Sequence, residues 1–306
     1  MPSRIVSVFG ATGLQGSSVI RLLLQDGTFT PRAITRDPDS AAAQKLAAQG
    51  VEVVKADSQD KASLVHALRG SEAVFAVTVP AFNARGGGAV SEQTQGKNMV
   101  DAAKEAGVKF FIWTGMPSIS KISNGKYTKC LHYDEKAAVE EYLKSSGIPH
   151  ASIHLGGFLE NYWKFGNLKK TDTGFDVAIP LFKAGDLQAL TWVEHDVPAA
   201  ALALLKNYTD PSKNIIGASY PVVTACIPYS ELAEKTGKAL GVEVTFTSGP
   251  PLGIPEMDEM FAAHIEYKGL YTATPVPNPD LVALGVKFGT IEEFMETEVK
   301  PRFGQK

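Results

Sequence analysis

The sequence predicts an α/β fold, in which helices cover both faces of a doubly wound parallel sheet and a smaller α+β lobe follows. Four observations predict it. Short apolar runs alternate with helical segments through the first half of the chain, and a glycine-rich turn joins the first run to the first helix. The helices that separate the runs are about 10 to 15 residues long, as in parallel βαβ units. Runs such as residues 73–79 show little polar alternation, which is typical of strands buried on both faces.

Six strands are predicted in the first half, each a run of apolar or β-branched residues bounded by turn-forming residues. They cover residues 5–9, 32–35, 51–57, 73–80, 109–115 and 150–155. Five helices connect them, and each ends at a glycine, the usual residue for stopping a helix. These helices cover residues 16–27, 39–50, 60–70, 91–107 and 130–147.

The alternation of strands and helices stops near residue 156. Strands are predicted at 175–180, 189–193 and 242–247, and helices at 196–206, 229–241 and 255–269. No clear linker separates this region from the first half. We therefore expect residues 1–155 to form the main domain and residues 156–306 a smaller lobe closely packed on it.

Composition excludes several functional classes. The 306 residues are 44% hydrophobic and 21% charged with a net charge of −3, so no basic field favours direct binding to nucleic acid or an anionic membrane. No apolar stretch approaches the roughly 18 residues of a membrane span. Two cysteines, Cys130 and Cys226, cannot form a disulfide framework and favour a cytoplasmic protein. The chain passes from Met1 directly into a strand, so we expect no signal peptide.

The glycine-rich turn is the first functional motif. Gly10, Gly13 and Gly16 lie between a predicted strand and a predicted helix, which is the context of a Rossmann-type dinucleotide site. Gly10 permits the tight turn, Gly13 lets the backbone approach a pyrophosphate, and Gly16 lets helix and strand pack closely. The helix N-terminus then offers N–H groups to the phosphates.

The end of the second strand indicates which cofactor is bound. Arg36 comes first there and Asp37 second. A guanidinium can bind a 2′-phosphate and stack beside adenine, so Arg36 favours NADP(H) over NAD(H). Two alternatives stay open: Arg36 as a solvated loop cation, and Asp37 as an acceptor from a ribose hydroxyl.

Asp57 and Ser58 follow the third strand at the same edge of the sheet. Either side chain could hydrogen-bond the adenine amino group. Asp57 could instead cap the next helix.

Several segments together resemble the NmrA-like family of atypical short-chain dehydrogenases. They are "GATGLQGSSVIRLLL", "AITRDP", "VEVVKADSQD", "QGKNMVDAAKEAGVKFFIWTG", "HYDEKAAVEEYLKSSGIP" and "GGFLENY". The resemblance implies a Rossmann-type domain, a small C-terminal lobe and a preference for NADP(H). It also implies two kinds of protein, because some members are reductases and others are redox sensors that bind transcription factors or other proteins.

The family's binding positions carry over to a defined set of residues. They are Gly10, Thr12, Gly13, Leu14, Gln15, Gly16, Arg36, Asp57, Ser58, Thr78, Val79, Pro80, Lys136, Gly157, Phe158 and Asn161. No family residue matches the insert "FNARGGG" after Pro80.

The helix that begins near Cys130 carries the candidate catalytic residues. Orthodox short-chain dehydrogenases use a tyrosine as the acid, with a lysine four residues later. Here His132 stands four residues before Lys136, and Tyr133 comes one residue late. At about 100° per residue, His132 and Lys136 border the apolar stripe of the helix, whereas Tyr133 should face its polar side. Glu135 breaks this pattern and should be exposed or partnered.

Lys136 is the leading candidate, because an ammonium beside an apolar stripe needs acceptors and ribose hydroxyls would supply them. The alternative is a lysine that extends to solvent. His132 could donate or relay a proton near neutral pH or could simply be packed. Tyr133 and Tyr127 are weaker candidates for the acid. Thr114, with Ser118 behind it, lies near the place of the serine that orients the carbonyl in short-chain dehydrogenases.

Apolar and aromatic residues are predicted in loops around the ligand cleft that we expect at the carboxyl ends of the strands. Such a lining suits a small apolar or aromatic substrate. These residues are Pro80, Phe82, Met116, Phe158, Trp163, Trp192 and Tyr271, and His154 lies nearby. The same residues could instead form the seam between the two lobes, and His154 could be a core residue. The sequence shows no metal-ligand spacing and no "GxSxG" elbow, so we expect no metal.

Overall fold

The computed structural model describes residues 4–80 and 90–304. Its centre is a seven-stranded parallel sheet in the order β11-β6-β5-β4-β1-β2-β3. The strands that the sequence predicts here are β1 (Ile5–Val8), β2 (Thr30–Thr35), β3 (Glu52–Lys55), β4 (Ser71–Ala76), β5 (Phe110–Gly115) and β6 (His150–Leu155). The doubly wound α/β fold is confirmed.

The helices of the first half lie on the two faces of this sheet. They are α1 (Leu14–Asp26), α2 (Ala41–Ala48), α3 (Lys61–Leu68), α4 (Glu92–Glu105), the short α5 (Ile119–Ile122) and α6 (Leu131–Ser146). Alternate residues of β4 and β5 enter opposite cores. In β5, Phe110 and Ile112 pack towards α1, while Phe111 and Trp113 pack towards α3, α4 and α6. This double burial explains why the strands are almost continuously apolar.

The second half contains two three-stranded sheets, ordered β12-β10-β7 and β13-β9-β8. Their strands are β7 (Gly157–Phe158), β8 (Leu168–Lys170), β9 (Gly174–Pro180), β10 (Leu187–Thr191), β12 (Ala225–Pro228) and β13 (Glu243–Gly249). The helices are α7 (Asn161–Lys164), α8 (Val193–Asn207), α9 (Tyr229–Leu240), α10 (Pro255–Glu266), α11 (Pro279–Ala283), α12 (Ile291–Phe294) and α13 (Lys300–Phe303). The prediction that small sheets and helices mix in the C-terminal region is therefore confirmed.

Two elements of the second half return to the main sheet. The strand β11 (Ser219–Val222) pairs in parallel with β6 and extends the sheet, and α8 packs against α1. The sequence did not predict β11, because it is four residues long and contains Pro221, which lowers the strand signal. A proline is tolerated there because β11 is an edge strand. The boundary at residue 155 stays a prediction, and these elements show that the chain beyond it also builds the main sheet and its helical layer.

Candidate functional site

The carboxyl ends of the parallel strands place the predicted site residues along one edge of the sheet. Gly10 follows β1 there and has φ +60°, the left-handed region that favours glycine. A Cβ on Gly10 would lie 2.8 Å from Val77 Cγ1, and a Cβ on Gly16 would overlap the Gly10 carbonyl oxygen. Gly13 is the N-cap of α1 and supplies no side-chain cap. The first turn of α1 thus offers backbone N–H groups that no capping side chain occupies.

The remaining residues of this turn differ in exposure. Thr12 is exposed, and Leu14 is half-buried against the core that lies between the sheet and α1. The side-chain oxygen of Gln15 is buried and has no hydrogen-bond partner in residues 4–80 and 90–304. A buried acceptor of this kind is satisfied when a donor, such as a ligand hydroxyl or water, reaches it.

Arg36 follows β2 and is exposed, and the described residues provide it with no hydrogen bond or ion pair. Asp37 is engaged locally, because its Oδ1 accepts from the Asp39 N–H over 3.1 Å. Both side chains are exposed, and no described residue donates to Asp37 Oδ2, so a contact of Asp37 to a ribose hydroxyl also stays a prediction. A role in cofactor choice stays a prediction.

Asp57 and Ser58 follow β3. Asp57 Oδ1 accepts from the Gln59 N–H over 3.0 Å, and Ser58 Oγ donates to Gln95 Oε1 over 2.9 Å. The alternative that Asp57 caps the next helix is wrong, because Asp60 caps α3 through the N–H groups of its first turn. An adenine contact of Asp57 or Ser58 stays a prediction.

Lys136 lies on the buried side of α6 and reaches the segment after β4. It is 7% exposed, so the alternative of a lysine extending to solvent is wrong. Its Nζ donates to Thr78 Oγ1 over 3.0 Å and to the Thr78 carbonyl over 3.3 Å, and it forms an ion pair with Glu92. Burial lowers the pKa of Lys136 to about 7. The Glu92 carboxylate opposes that shift, because it favours the charged ammonium.

Glu92 lies beside Lys136 and Thr78, and no pattern in the sequence marks it as a candidate. It begins α4, is 2% exposed, and accepts from Thr78 Oγ1 over 2.6 Å. Its other oxygen, Oε1, is buried and has no hydrogen-bond partner in the described part of the chain. A lysine beside an apolar stripe signals that an acceptor is near. Nothing in the sequence says which acidic residue supplies it.

Glu135, the neighbour of Lys136, is partnered. Its Oε2 accepts from the Glu92 backbone N–H over 2.8 Å. This carboxylate therefore satisfies one of the free N–H groups at the start of α4.

His132 faces the C-terminal lobe. Its backbone N–H donates to Glu256 Oε1 of α10 over 3.0 Å, and its ring Nδ1 lies 3.0 Å from the same oxygen. Glu256 thereby caps α6 from a distant part of the chain. The histidine is buried and held by this carboxylate, so a proton-transfer role for His132 stays a prediction.

Tyr133 is buried, and the expectation that it faces the polar side of α6 is wrong. It is 3% exposed, and its hydroxyl lies 2.8 Å from His264 Nε2. His264 Nδ1 lies 2.9 Å from Gln188 Oε1, so this imidazole bridges α6 to β10. Burial raises the pKa of the Tyr133 hydroxyl and lowers the pKa of His264 to about 4. Helical periodicity missed this arrangement because it describes packing on the sheet, whereas α10 covers a different side of α6.

Three further hydroxyls are candidates from the sequence. Thr114 lies at the end of β5, is 3% exposed, and its Oγ1 has no partner in the described residues. Ser118 Oγ donates to Asp134 Oδ1 over 2.8 Å, and the Tyr127 hydroxyl donates to Glu266 over 2.7 Å. Of these three, Thr114 alone keeps an uncommitted side-chain oxygen.

The segment after β6 carries the residues from Gly157 to Asn161. Gly157 and Phe158 form β7, a Cβ on Gly157 would lie 2.9 Å from Gln188 Nε2, and Asn161 begins α7. Glu160 between them is fully buried, and its Oε1 accepts from the Glu194 N–H over 2.9 Å.

Only some of the apolar and aromatic residues predicted to line the substrate cleft are placed where they could do so. Trp163 stacks on Phe294 at 5.8 Å, and Trp192 is 6% exposed within the core of the C-terminal lobe. The Tyr271 hydroxyl donates to the Leu155 carbonyl over 3.0 Å and is committed to the junction of the lobes. Tyr271 fits the alternative of a seam between the lobes, whereas Trp163 and Trp192 pack inside the C-terminal lobe.

The other members of that set are placed differently. Pro80, Met116 and Phe158 are partly buried, and Val79, which belongs to the predicted cofactor-binding set instead, is 71% exposed. Phe82 lies outside the described residues, as does the rest of the insert that follows Pro80.

His154 Nε2 lies 2.6 Å from the buried carboxylate of Glu140. This pairing supports the alternative of a core role for the histidine. Within residues 4–80 and 90–304, no three His, Cys, Asp or Glu side chains are grouped to hold a metal ion. In that same part of the chain, no helix combines the length and apolar character needed to cross a membrane.

Known structures share the fold of this chain. NmrA, a negative transcriptional regulator, in complex with NADP superposes with a TM-score of 0.78 at 19% identity, covering 99% of this chain and 97% of that one. The NADPH-dependent quinone oxidoreductase QOR2 from Escherichia coli, complexed with NADPH, gives a TM-score of 0.69 at 25% identity, covering 95% and 98%.

Sequence comparison agrees. The oxidoreductase cpsB of Aspergillus campestris is 28% identical over 278 residues, covering 83% of this chain and 80% of the relative. Other curated relatives match over shorter stretches, and the chain spans about half of their length, between 43% and 53%. The profile of the NmrA-like family matches residues 2–295. The chain therefore belongs to the NmrA-like family.

Proposed function

We propose that the protein is an NADP(H)-dependent reductase of a small apolar or aromatic carbonyl, imine or enone. The observation that carries this proposal is the buried ammonium of Lys136. It is held at Thr78 on the same sheet edge as the glycine-rich turn. A buried cation with acceptors around it is costly to maintain, and such groups are concentrated at functional sites.

The described residues fit a dinucleotide. The turn at Gly10 and Gly16 leaves no room for side chains, and the first turn of α1 carries no side-chain cap, as a pyrophosphate requires. Arg36 is exposed and available for a 2′-phosphate. NmrA and QOR2, which share the fold, have been solved with NADP and NADPH.

When bound, NADPH supplies a hydride. Lys136 would donate to a ribose hydroxyl next to the nicotinamide in place of its 3.3 Å contact to the Thr78 carbonyl, and Thr78 Oγ1 would keep the Lys136 Nζ at that position. Thr114 Oγ1 could orient the substrate's polar atom from the end of β5. The proton could come from His132, from a tyrosine or from water. Tyr133 suits this role least, because its hydroxyl is buried against His264.

The deciding experiment is NADPH oxidation against a panel of carbonyls, imines and quinones. We expect at least one member to be reduced. The Lys136→Met variant should lose most of that turnover, because it lacks the donor to the ribose. If no compound in a broad panel is reduced by folded protein that binds NADPH, the reductase proposal fails.

Arg36 should decide the choice between the two nicotinamide cofactors. Replacing Arg36 with alanine should weaken NADP(H) binding about tenfold or more and leave NAD(H) binding unchanged, because a charged contact to the 2′-phosphate is lost. Titration calorimetry with both cofactors measures this. Arg69→Ala, at an exposed arginine after α3, is the matched control. A preference for NAD⁺ that Arg36→Ala leaves unaltered would contradict the assignment.

A second proposal is a catalytically silent NADP(H) sensor that regulates a transcription factor or another protein. The contact between the buried Tyr133 hydroxyl and His264 supports this proposal, because it leaves that hydroxyl unable to act as the acid. The fold shared with the transcriptional regulator NmrA also supports it. Under this proposal, binding to a partner should differ between NADPH-loaded and NADP⁺-loaded protein. Equal partner binding in both states, together with substrate turnover, would exclude the sensor.

A further inference from the structure

Two consecutive residues of α6 hold the first residue of α4. Glu135 Oε2 accepts from the Glu92 backbone N–H over 2.8 Å, and the next residue, Lys136, pairs with the Glu92 side chain. Thr78 Oγ1 donates to the same carboxylate over 2.6 Å and accepts from Lys136 Nζ over 3.0 Å. The ammonium, the hydroxyl and the carboxylate therefore contact one another.

This group is shielded from water. Lys136 is 7% exposed, Thr78 is 4% exposed and Glu92 is 2% exposed. Burial on its own disfavours the ammonium form of Lys136, whereas an adjacent carboxylate favours it. Replacing that carboxylate with a neutral amide would leave a buried cation without its countercharge, and the cation would then give up its proton more readily.

We propose that Glu92 is a positioning residue for Lys136, which fixes the Lys136 Nζ beside Thr78 and favours its charged form, so that a bound cofactor's ribose meets a preplaced cation. The inference rests on the proposed binding of NADP(H) and adds to it the residue that prepares the lysine. The Glu92 Oε1 atom, buried and without a partner in the described residues, gives the ligand or a water molecule a second acceptor at this place.

Cofactor affinity as a function of pH tests the proposal. In Glu92→Gln, NADPH binding should weaken about tenfold at pH 8, because the charged donor is depleted. The pH above which affinity declines should also move down by about one unit or more relative to the wild type. Glu92→Asp keeps the charge but is shorter, so it should weaken binding with a smaller shift in that pH. Glu72→Gln, at the amino end of β4 where Glu72 pairs with Arg4, is the matched control and should change neither quantity.

A second measurement needs no cofactor. The ammonium signal of Lys136 can be followed by ¹H–¹⁵N NMR through a pH titration of the cofactor-free protein and assigned with Lys136→Arg. Glu92→Gln should lower the pH at which this signal titrates, and Glu92→Asp should restore part of the difference. Equal titration in the wild type and in Glu92→Gln would overturn the role of Glu92. A shifted titration in a protein that binds no NADP(H) would support that role and refute the proposed function instead.

Discussion

Glu160 is a fully buried carboxylate at the start of α7, and it lies against the N-terminus of α8. One oxygen accepts from the Glu194 N–H, whereas the other is buried with no partner in the described residues. Burial raises the pKa of Glu160 from 4.5 to about 7, although backbone N–H groups of α8 oppose the shift. The folded state therefore holds this proton more tightly than the unfolded state. Glu160 thus reduces stability as pH rises from 4.5 to 7, and the full cost is present above pH 7.

Replacing Glu160 with glutamine should remove this cost, since the amide keeps an acceptor without a charge. Above pH 7 we expect the variant to be more stable than the wild type by up to about 3 kcal/mol. Near pH 5 the two should be similar. Chemical unfolding at pH 5, 6, 7 and 8 measures the difference. Glu234→Gln, at an exposed glutamate of α9, should show no such pH-dependent gain.

The sequence could predict some site residues and not others, and Lys136 and Glu92 show why. The position of Lys136 beside the apolar stripe of α6 is local information, because it depends on residues within a few turns of one helix. The pairing with Glu92 joins residues 44 positions apart and depends on how α4 packs on α6. The predicted orientation of Tyr133 is wrong for the same reason, because its partner His264 lies 131 positions away.

At the scale of elements, α4 and α6 approach closely at Gly96. A Cβ on Gly96 would lie 2.5 Å from Val139 Cγ2 and 2.7 Å from Val139 Cγ1. Val139 is fully buried, so its side chain has little room to move away. The same two helices carry Glu92 and Lys136, and their spacing therefore controls the distance between those two side chains.

Gly96→Ala should force α4 away from α6. Alanine favours a helix by roughly 1 kcal/mol over glycine, but overpacking costs about 1–3 kcal/mol, so we expect a net loss of stability. Thermal unfolding measures it. The double variant Gly96→Ala with Val139→Ala should lose less than the sum of the two single variants, because the second change removes the clash. Strict additivity would show that this contact does not set the spacing of the helices.

The fold could be predicted from the sequence where elements are long and periodic, as for the helices α1, α4 and α6. It could not be predicted where an element is short and its partner is remote. The strand β11 has four residues, includes Pro221, and pairs with β6 across more than 60 residues of chain. Pairing with β6, and not local propensity, makes this segment a strand.

At the scale of the whole molecule, buried polar contacts join the main sheet to the C-terminal lobe. His264 of α10 bridges the Tyr133 hydroxyl and Gln188 Oε1, and Tyr271 donates to the Leu155 carbonyl. Burial lowers the pKa of His264 from 6.5 to about 4, with the charge of His132 adding to the effect. The unfolded state therefore binds a proton at His264 more readily, and stability is lost as pH falls from 6.5 towards 4.

His264 and Glu160 thus act in opposite directions between pH 4.5 and 6.5. As pH rises through this window, His264 increases stability and Glu160 decreases it, so their effects offset in the wild type.

His264→Gln should be about 1–3 kcal/mol less stable near pH 7, because the Tyr133 hydroxyl loses its partner. Relative to the wild type, its stability should also fall more steeply as pH rises through the window, because the slope of Glu160 is no longer offset. Glu160→Gln should show the opposite change of slope. Chemical unfolding between pH 4.5 and 7 measures both, with His66→Gln on the exposed side of α3 as the control. If His264→Gln and the wild type have parallel stability curves, His264 does not titrate with folding, and the seam between the lobes is not sensitive to pH through this residue.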